Sequence, residues 1–158
     1  MSEAPVFDED RVRLIIAEHL SLEGPLLPML HALNEEFGYV DDGVVPLIAE
    51  ALNMTRAEVH GVITFYHDFR RHPAGRHTLK ICRAEACQSL GSEGVARGLL
   101  AKLGVDWHGT TKDGEITVEP VYCLGLCANG PSALLDEVPI ARLDTSRLDE
   151  AIEEVCGP

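Results

Sequence analysis

Apolar residues recur with two different periods along this chain, and the period changes close to residue 72. Before that point they recur about every three to four positions, as in amphipathic helices. After it, short segments alternate between apolar and polar residues, as half-buried strands do. The pattern predicts an α+β protein with an N-terminal helical bundle over residues 1–72 and a second domain over residues 73–158.

The first region is predicted to contain four helices. The first follows a run of acids near residue 8, which suit the positive end of a helix. Pro25 begins the second and Gly38 ends it, while Val44–Leu52 forms the third. Thr55–Glu58 has the sequence of a capping box, in which a hydroxyl and a carboxylate bond free backbone amides. The fourth helix, which this box begins, is expected to include the pair Phe65–Tyr66 in its apolar stripe.

The second region is predicted to alternate strands and helices. Strands are expected at 77–82, 115–121, 133–135 and 138–141, and helices at 92–103 and 146–155. This β-α-β-β-β-α order matches a small thioredoxin-like α/β layer. The single tryptophan, Trp107, is expected to cap its core.

Composition and charge indicate which kinds of partner the protein can bind and in which cellular compartment it is expected. The 158 residues include 13 basic and 26 acidic ones, for a net charge of −13. Such a surface repels nucleic acid and disfavours an anionic membrane, so neither is an expected partner. The N-terminus lacks the basic and apolar regions of a signal peptide, and no apolar run is long enough to span a bilayer. We therefore expect a cytoplasmic protein whose paired cysteines are metal ligands or redox thiols.

Four of the five cysteines form two close pairs. Cys82 and Cys87 are separated by four residues, and Cys123 and Cys127 by three. Each pair follows a predicted strand, and α/β folds place their sites at the carboxyl ends of strands. Four thiolates at one point hold either an iron–sulfur cluster or a zinc ion.

The spacing alone leaves both metals open. Zinc ligands commonly have two to four residues between them, although structural zinc usually supports a domain without a sufficient core. The pattern differs from that of plant-type ferredoxins, which group three cysteines in one loop. A thioredoxin-like dithiol function is disfavoured because neither pair has the C-x-x-C spacing. Cys156, alone near the end of the chain, is expected to have no role in the site.

The surrounding motifs resemble those of a known family. Val59–Tyr66 precedes Pro73–Gly75, the first cysteine pair follows, and the second pair lies in the segment Cys123–Pro131. From about Ile15 to Val155, the chain is similar to the 24-kilodalton-type [2Fe–2S] subunits of NADH dehydrogenases and their soluble relatives. The first ligand loop, Cys82–Ser89, and its flanks are similar to the gamma subunit of soluble NAD-dependent formate dehydrogenase.

This resemblance implies a cofactor and a set of partners. It implies one [2Fe–2S] cluster on Cys82, Cys87, Cys123 and Cys127, in a thioredoxin-like ferredoxin domain. It also implies a partner, a flavin subunit that binds FMN, a [4Fe–4S] cluster and NAD. The helical bundle over residues 1–72 is expected to be a docking surface. In a formate enzyme, a molybdenum-containing subunit would supply the electrons. Gly130 departs from the family pattern, since many relatives carry alanine there.

The chain is therefore expected to be a non-catalytic electron-transfer subunit. It contains no G-x-G-x-x-G or P-loop motif and no pattern typical of molybdenum ligands. It should neither reduce NAD nor oxidise formate alone. The alternatives are the equivalent subunit of NADH:quinone oxidoreductase or of an NAD-reducing hydrogenase, a freely diffusing ferredoxin, and an interaction module held together by zinc.

Overall fold

The computed structural model describes residues 7–157, and the chain divides into two compact units, Met1–Pro73 and Ala74–Pro158. The first contains helices only. Their bounds are α1 Glu9–His19, α2 Leu26–Phe37, α3 Val44–Leu52 and α4 Arg56–Phe65. None of the helices between residues 7 and 157 combines the length and the apolar composition needed to cross a bilayer.

Local signals explain where these helices begin and end. Asp8 accepts hydrogen bonds from the first amides of α1. Gly38 ends α2 in the left-handed conformation, at a φ of 76°. Both hydrogen bonds of the capping box at α4 are present: the Thr55 side chain accepts from the Glu58 amide, and the Glu58 side chain accepts from the Thr55 amide. The core between these helices is built from fully buried residues such as Leu30 and Ile48.

The pair Phe65–Tyr66, expected in the apolar stripe of α4, is not buried. Phe65 is 72% exposed and Tyr66 is 40% exposed. Helix α4 ends at Phe65, so Tyr66 already has an extended backbone. The two rings contact each other edge to face, with centroids 5.1 Å apart, and Tyr66 also contacts Phe69.

The second unit is a four-stranded mixed sheet with helices, which confirms the predicted α+β fold class. Its elements are β1 His77–Cys82, α5 Glu85–Ser89, α6 Ser92–Leu103, β2 Ile116–Val121, β3 Ala133–Leu135, β4 Val138–Ile140 and α7 Thr145–Cys156. The strand order is β2-β1-β3-β4. Strands β1 and β2 are parallel neighbours, β3 pairs antiparallel with β1, and β4 pairs antiparallel with β3.

Helices α6 and α7 supply the other half of this unit's core. Ala96 and Leu99 of α6 and Leu148 of α7 join the buried strand residues in one cluster. Trp107 packs against that cluster, as the sequence predicts for a core cap. Helix α6 connects β1 to β2, and because these two strands are parallel neighbours, their carboxyl ends lie at the same end of the sheet.

Candidate metal centre

The two cysteine pairs follow the ends of the two parallel strands. Cys82 is the last residue of β1 and is aligned with Val121, the last residue of β2. The Arg83 amide donates to the Val121 carbonyl at 2.8 Å, so the two chains leave the sheet side by side. Cys123 comes two residues after β2 ends. The fold therefore brings both predicted loops to one edge.

The first loop is more ordered than the sequence predicts. Cys87 lies within the short helix α5 and not in an open loop. The Gln88 side-chain amide donates to the Arg83 carbonyl at 2.7 Å and closes the turn between the cysteines. Cys82 and Cys87 are both buried, at 1% exposure each.

The second loop is tightly curved. Cys123 has a φ of 79°, which for a residue with a Cβ costs about 1–3 kcal/mol. Cys127 begins a single 3₁₀ turn that ends at Asn129. The Sγ atoms of Cys123 and Cys127 lie 3.6 Å apart, and both residues are exposed. Two thiolates on one tetrahedral metal, with bonds of about 2.3 Å, lie about 3.7 Å apart, so this spacing fits a shared metal.

The pKa values of Cys82 and Cys127 are shifted by the groups around them, including the other cysteines. Burial disfavours the Cys82 thiolate, yet hydrogen bonds from the Ala84 amide, the Cys87 thiol and the amides of the second loop hold the pKa of Cys82 below its ordinary value. The pKa of Cys127 is raised, first by its hydrogen bond with Cys123 and then by the charges of Cys123, Cys87 and Cys82. The four sulfurs thus share one electrostatic neighbourhood. Adjacent thiolates repel one another, and a bound cationic centre would offset that repulsion.

Gly130 leaves room beside the buried pair. A Cβ added there would lie 3.4 Å from the Cys87 Sγ and 3.0 Å from the Leu90 Cδ1. Leu90 is 55% exposed and its side chain is free to turn away. Alanine would therefore fit here after a small movement of Leu90, and glycine leaves the sulfur less crowded. The donor set and the space around it fit a four-thiolate cluster.

Ser132 is a site residue that the sequence analysis missed. Its side chain is 1% exposed, and its Oγ lies 3.6 Å from the Cys87 Sγ. Its carbonyl also accepts the Cys82 amide, at 3.0 Å. No spacing rule relates a serine to cysteines 45 positions away, so only the pairing of β1 with β3 reveals the contact.

Arg83 lies between Cys82 and Cys87 in the chain, and its side chain contacts residues outside the two loops. Its guanidinium pairs with Glu93 at 3.1 Å and stacks over the Trp107 ring, 4.8 Å from its centroid. These contacts tie the first loop to α6 and to the core. They support the loop's position and leave the Arg83 guanidinium less available to a partner.

Comparisons with known proteins agree with this geometry. Residues 12–156 match the family described as thioredoxin-like [2Fe-2S] ferredoxin. The chain is 33% identical over 147 residues to a subunit of the NADH-quinone oxidoreductase of Pseudomonas aeruginosa, and the match covers 87% of this chain and 89% of that protein. It is 36% identical over 124 residues to the like-named subunit from Escherichia coli strain K12, covering 78% and 75%.

One solved structure is also similar along most of the chain. It is an NAD+-reducing [NiFe]-hydrogenase in the air-oxidized state, with a TM-score of 0.66 and 25% identity. The match covers 83% of this chain and 22% of that chain, so this protein spans about a fifth of it.

Proposed function

Because this chain belongs to the thioredoxin-like [2Fe–2S] ferredoxin family, we propose that it transfers single electrons as a subunit of an NAD-dependent formate dehydrogenase. Its cofactor is one [2Fe–2S] cluster, which accepts one electron at a time. Its relatives are subunits of NAD-dependent oxidoreductases. The assignment to formate oxidation is the specific part of this proposal.

We assign the cluster to Cys82, Cys87, Cys123 and Cys127. The convergence of both pairs at one sheet edge is the observation on which this assignment depends. The two pairs differ in exposure, since Cys82 and Cys87 are buried while Cys123 and Cys127 are at the surface. The exposed pair is therefore the proposed side through which electrons reach or leave the cluster, because a shorter path to a partner favours transfer there.

The partner is proposed to be a subunit that binds FMN, a [4Fe–4S] cluster and NAD, together with a molybdenum-containing subunit. Large apolar side chains near the two loops support a contact on this side. Tyr122 is 69% exposed and Leu90 is 55% exposed, one in each loop region. Exposed aromatic and aliphatic side chains of this size are typical anchors of protein interfaces. The helical unit is proposed to dock separately, with Phe65 and Tyr66 as its candidate anchors.

The choice of formate rests on the first ligand loop, Cys82–Ser89, and its flanking segments. A second candidate is favoured by the comparisons, in which the named relatives belong to NADH-quinone oxidoreductase and an NAD+-reducing hydrogenase. Both candidates use the same cluster and differ in the substrate of the whole complex. In either case this chain carries electrons and does not bind the substrate, and we propose the cytoplasm as its location.

The cluster assignment is tested by EPR of the purified chain before and after dithionite reduction. We expect a brown protein with two irons per chain and a rhombic S = 1/2 signal that appears only on reduction. Serine at any one of the four proposed ligands should lower the iron content, whereas Cys156→Ser should retain it. A colourless protein with one zinc on the four cysteines would instead support the zinc-held interaction module.

The choice of complex is tested by purifying the tagged chain with its partners from the native host. Formate-dependent NAD reduction by a preparation that contains molybdenum would support the proposal. Nickel with hydrogen-dependent activity, or quinone reduction by NADH, would select the other candidate. Either of these results would reject formate while leaving the cluster assignment intact.

A further inference from the structure

Three metal-ligating side chains meet at the opposite end of β1 and β2 from the cysteine pairs. His77 is the first residue of β1, Glu115 directly precedes β2, and Cys156 is the last residue of α7. One ligand atom from each lies within 4.8 Å of the others, and all three residues are partly buried. The pairing of the two parallel strands brings His77 and Glu115 together, because the His77 amide donates to the Glu115 carbonyl at 2.7 Å.

The His77 ring is held in place by a hydrogen bond at one of its two nitrogens. Its Nδ1 bonds to the Asp136 Oδ2 at 2.5 Å, and the other oxygen of Asp136 accepts the Thr78 amide at 2.9 Å. Because a carboxylate only accepts hydrogen bonds, Nδ1 carries a proton, and in the neutral imidazole Nε2 is left with a lone pair. Within residues 7–157, Nε2 is buried and has no hydrogen-bond partner. Metal-binding histidines are commonly oriented by a carboxylate in this way.

The surroundings of the third ligand are anionic. Burial raises the pKa of the Cys156 thiol, and the charges of Glu115, Asp113 and Asp136 raise it further, against a smaller opposing effect of Arg76. The Arg76 guanidinium lies 3.7 Å from the Glu115 carboxylate and is 71% exposed, so it can move aside. A divalent cation would satisfy the His77 lone pair and offset this negative charge together.

We propose that His77 Nε2, the Glu115 carboxylate and the Cys156 sulfur bind a zinc ion. Nitrogen, oxygen and sulfur donors together suit zinc, whereas magnesium and calcium prefer oxygen alone. Donor atoms on a tetrahedral zinc lie about 3.3–3.7 Å apart, so the present group needs to contract by about 1.5 Å at most. A water would take the fourth position. On binding, the S–H bond of Cys156 breaks, the sulfur bonds to zinc and the proton passes to solvent.

This site is distinct from the proposed cluster and goes beyond the proposed function. The six residues of β1 separate the two sites by about 16 Å, at about 3.3 Å per residue. Zinc would hold the last turn of α7 to the starts of β1 and β2. Its expected effect is on the stability of the sheet unit and on the reactivity of Cys156, rather than on the cluster.

The test is protection of Cys156 from alkylation in the cluster-loaded protein. Zinc chloride is added, N-ethylmaleimide is applied for increasing times, and modification of the Cys156 peptide is measured by mass spectrometry. We expect zinc to slow alkylation at least about ten-fold, because the metal-bound sulfur is no longer free to react. Glu115→Gln should remove most of this protection. Glu154 is an exposed carboxylate in α7, the helix that contains Cys156, and Glu154→Gln should retain the protection.

Zinc content after dialysis gives a second readout, with the visible spectrum followed to ensure that iron is not displaced. One zinc per chain in the wild type, and its loss in Cys156→Ser, would support the site. Unchanged alkylation of Cys156 at about 100 µM zinc, far above the dissociation constants of specific zinc sites, would overturn it. Equal zinc in the wild type and Cys156→Ser would also overturn it.

Discussion

The hydroxyl of Ser132 should raise the reduction potential of the cluster, and Ser132→Ala should lower it. The Oγ lies 3.6 Å from the Cys87 Sγ in a site that is 1% exposed. Once the sulfur is a metal-bound thiolate, the hydroxyl can only donate to it. A hydrogen bond of this kind stabilises the reduced cluster more than the oxidised one, because the reduced cluster carries one more negative charge.

The size of the effect follows from that charge difference. A hydrogen bond to a charged group contributes about 1.5–3 kcal/mol. The cluster with its four thiolates carries a charge of about −2 when oxidised and about −3 when reduced. If the bond strengthens in proportion to the charge, reduction adds about 0.7–1.5 kcal/mol. At about 59 mV for each 1.4 kcal/mol in a one-electron couple, Ser132→Ala should lower the midpoint potential by about 30–60 mV.

An EPR-monitored redox titration measures this shift. Ser89→Ala is the control, because the Ser89 hydroxyl belongs to the same ligand loop but donates to the Ala86 carbonyl. Its midpoint should stay close to that of the wild type. A Ser132→Ala protein with a full complement of iron and an unchanged or higher midpoint would refute the reasoning.

Two further predictions concern the two units separately. Gly75→Ala should lower the free energy of unfolding by about 1–3 kcal/mol in chemical denaturation, because the added Cβ would lie 2.9 Å from a backbone oxygen of the turn before β2. Gly98→Ala, whose Cβ would meet nothing within 4 Å in α6, should instead leave stability equal or higher, and a similar loss in both would contradict the steric argument. Hydrogen bonds from the amide and hydroxyl of Thr55 lower the pKa of Glu58 in the folded protein. The ionised Glu58 carboxylate therefore stabilises the fold fully above the pKa that it has in the unfolded chain, and this stabilisation is lost as the pH falls through the folded-state pKa. Glu58→Gln should therefore reduce the loss of stability on acidification, measured as melting temperature against pH, whereas Glu35→Gln, on an exposed part of α2, serves as the control.

The predicted helix and strand boundaries are most accurate where short-range signals fix them. β1, α3 and α6 begin and end at the predicted residues. Gly38 ends α2 in the left-handed conformation, as its position predicts, and Gly104 ends α6 in the same way. Each of these boundaries depends on a few neighbouring residues, so the sequence contains the whole cause.

The sequence is less informative where an element is short or where burial depends on distant residues. Helix α5 has five residues, too few for any period to be recognised, and so the sequence suggests that Cys87 lies in an open loop. Phe65 fits the apolar period of α4 and yet is exposed. A period identifies an apolar face but does not say whether the core or another protein covers it.

The two candidate metal sites, one at each end of the sheet, also differ in how far the sequence predicts them. The cysteine pairs are visible in the sequence because each pair is local and follows a strand. His77, Glu115 and Cys156 have no such spacing, and they meet only because two lengths agree. Helix α7 begins close to the cysteine loops, where Arg142 and Leu143 bond to the Asn129 and Pro131 carbonyls, and its 12 residues extend about 18 Å.

Strand β1 covers about 16 Å in the same unit, so the last turn of α7 arrives beside the first residue of the strand. One residue more or fewer in α7 would turn Cys156 by about 100° around the helix axis and remove its sulfur from His77. The meeting of these three side chains is thus a property of the folded lengths.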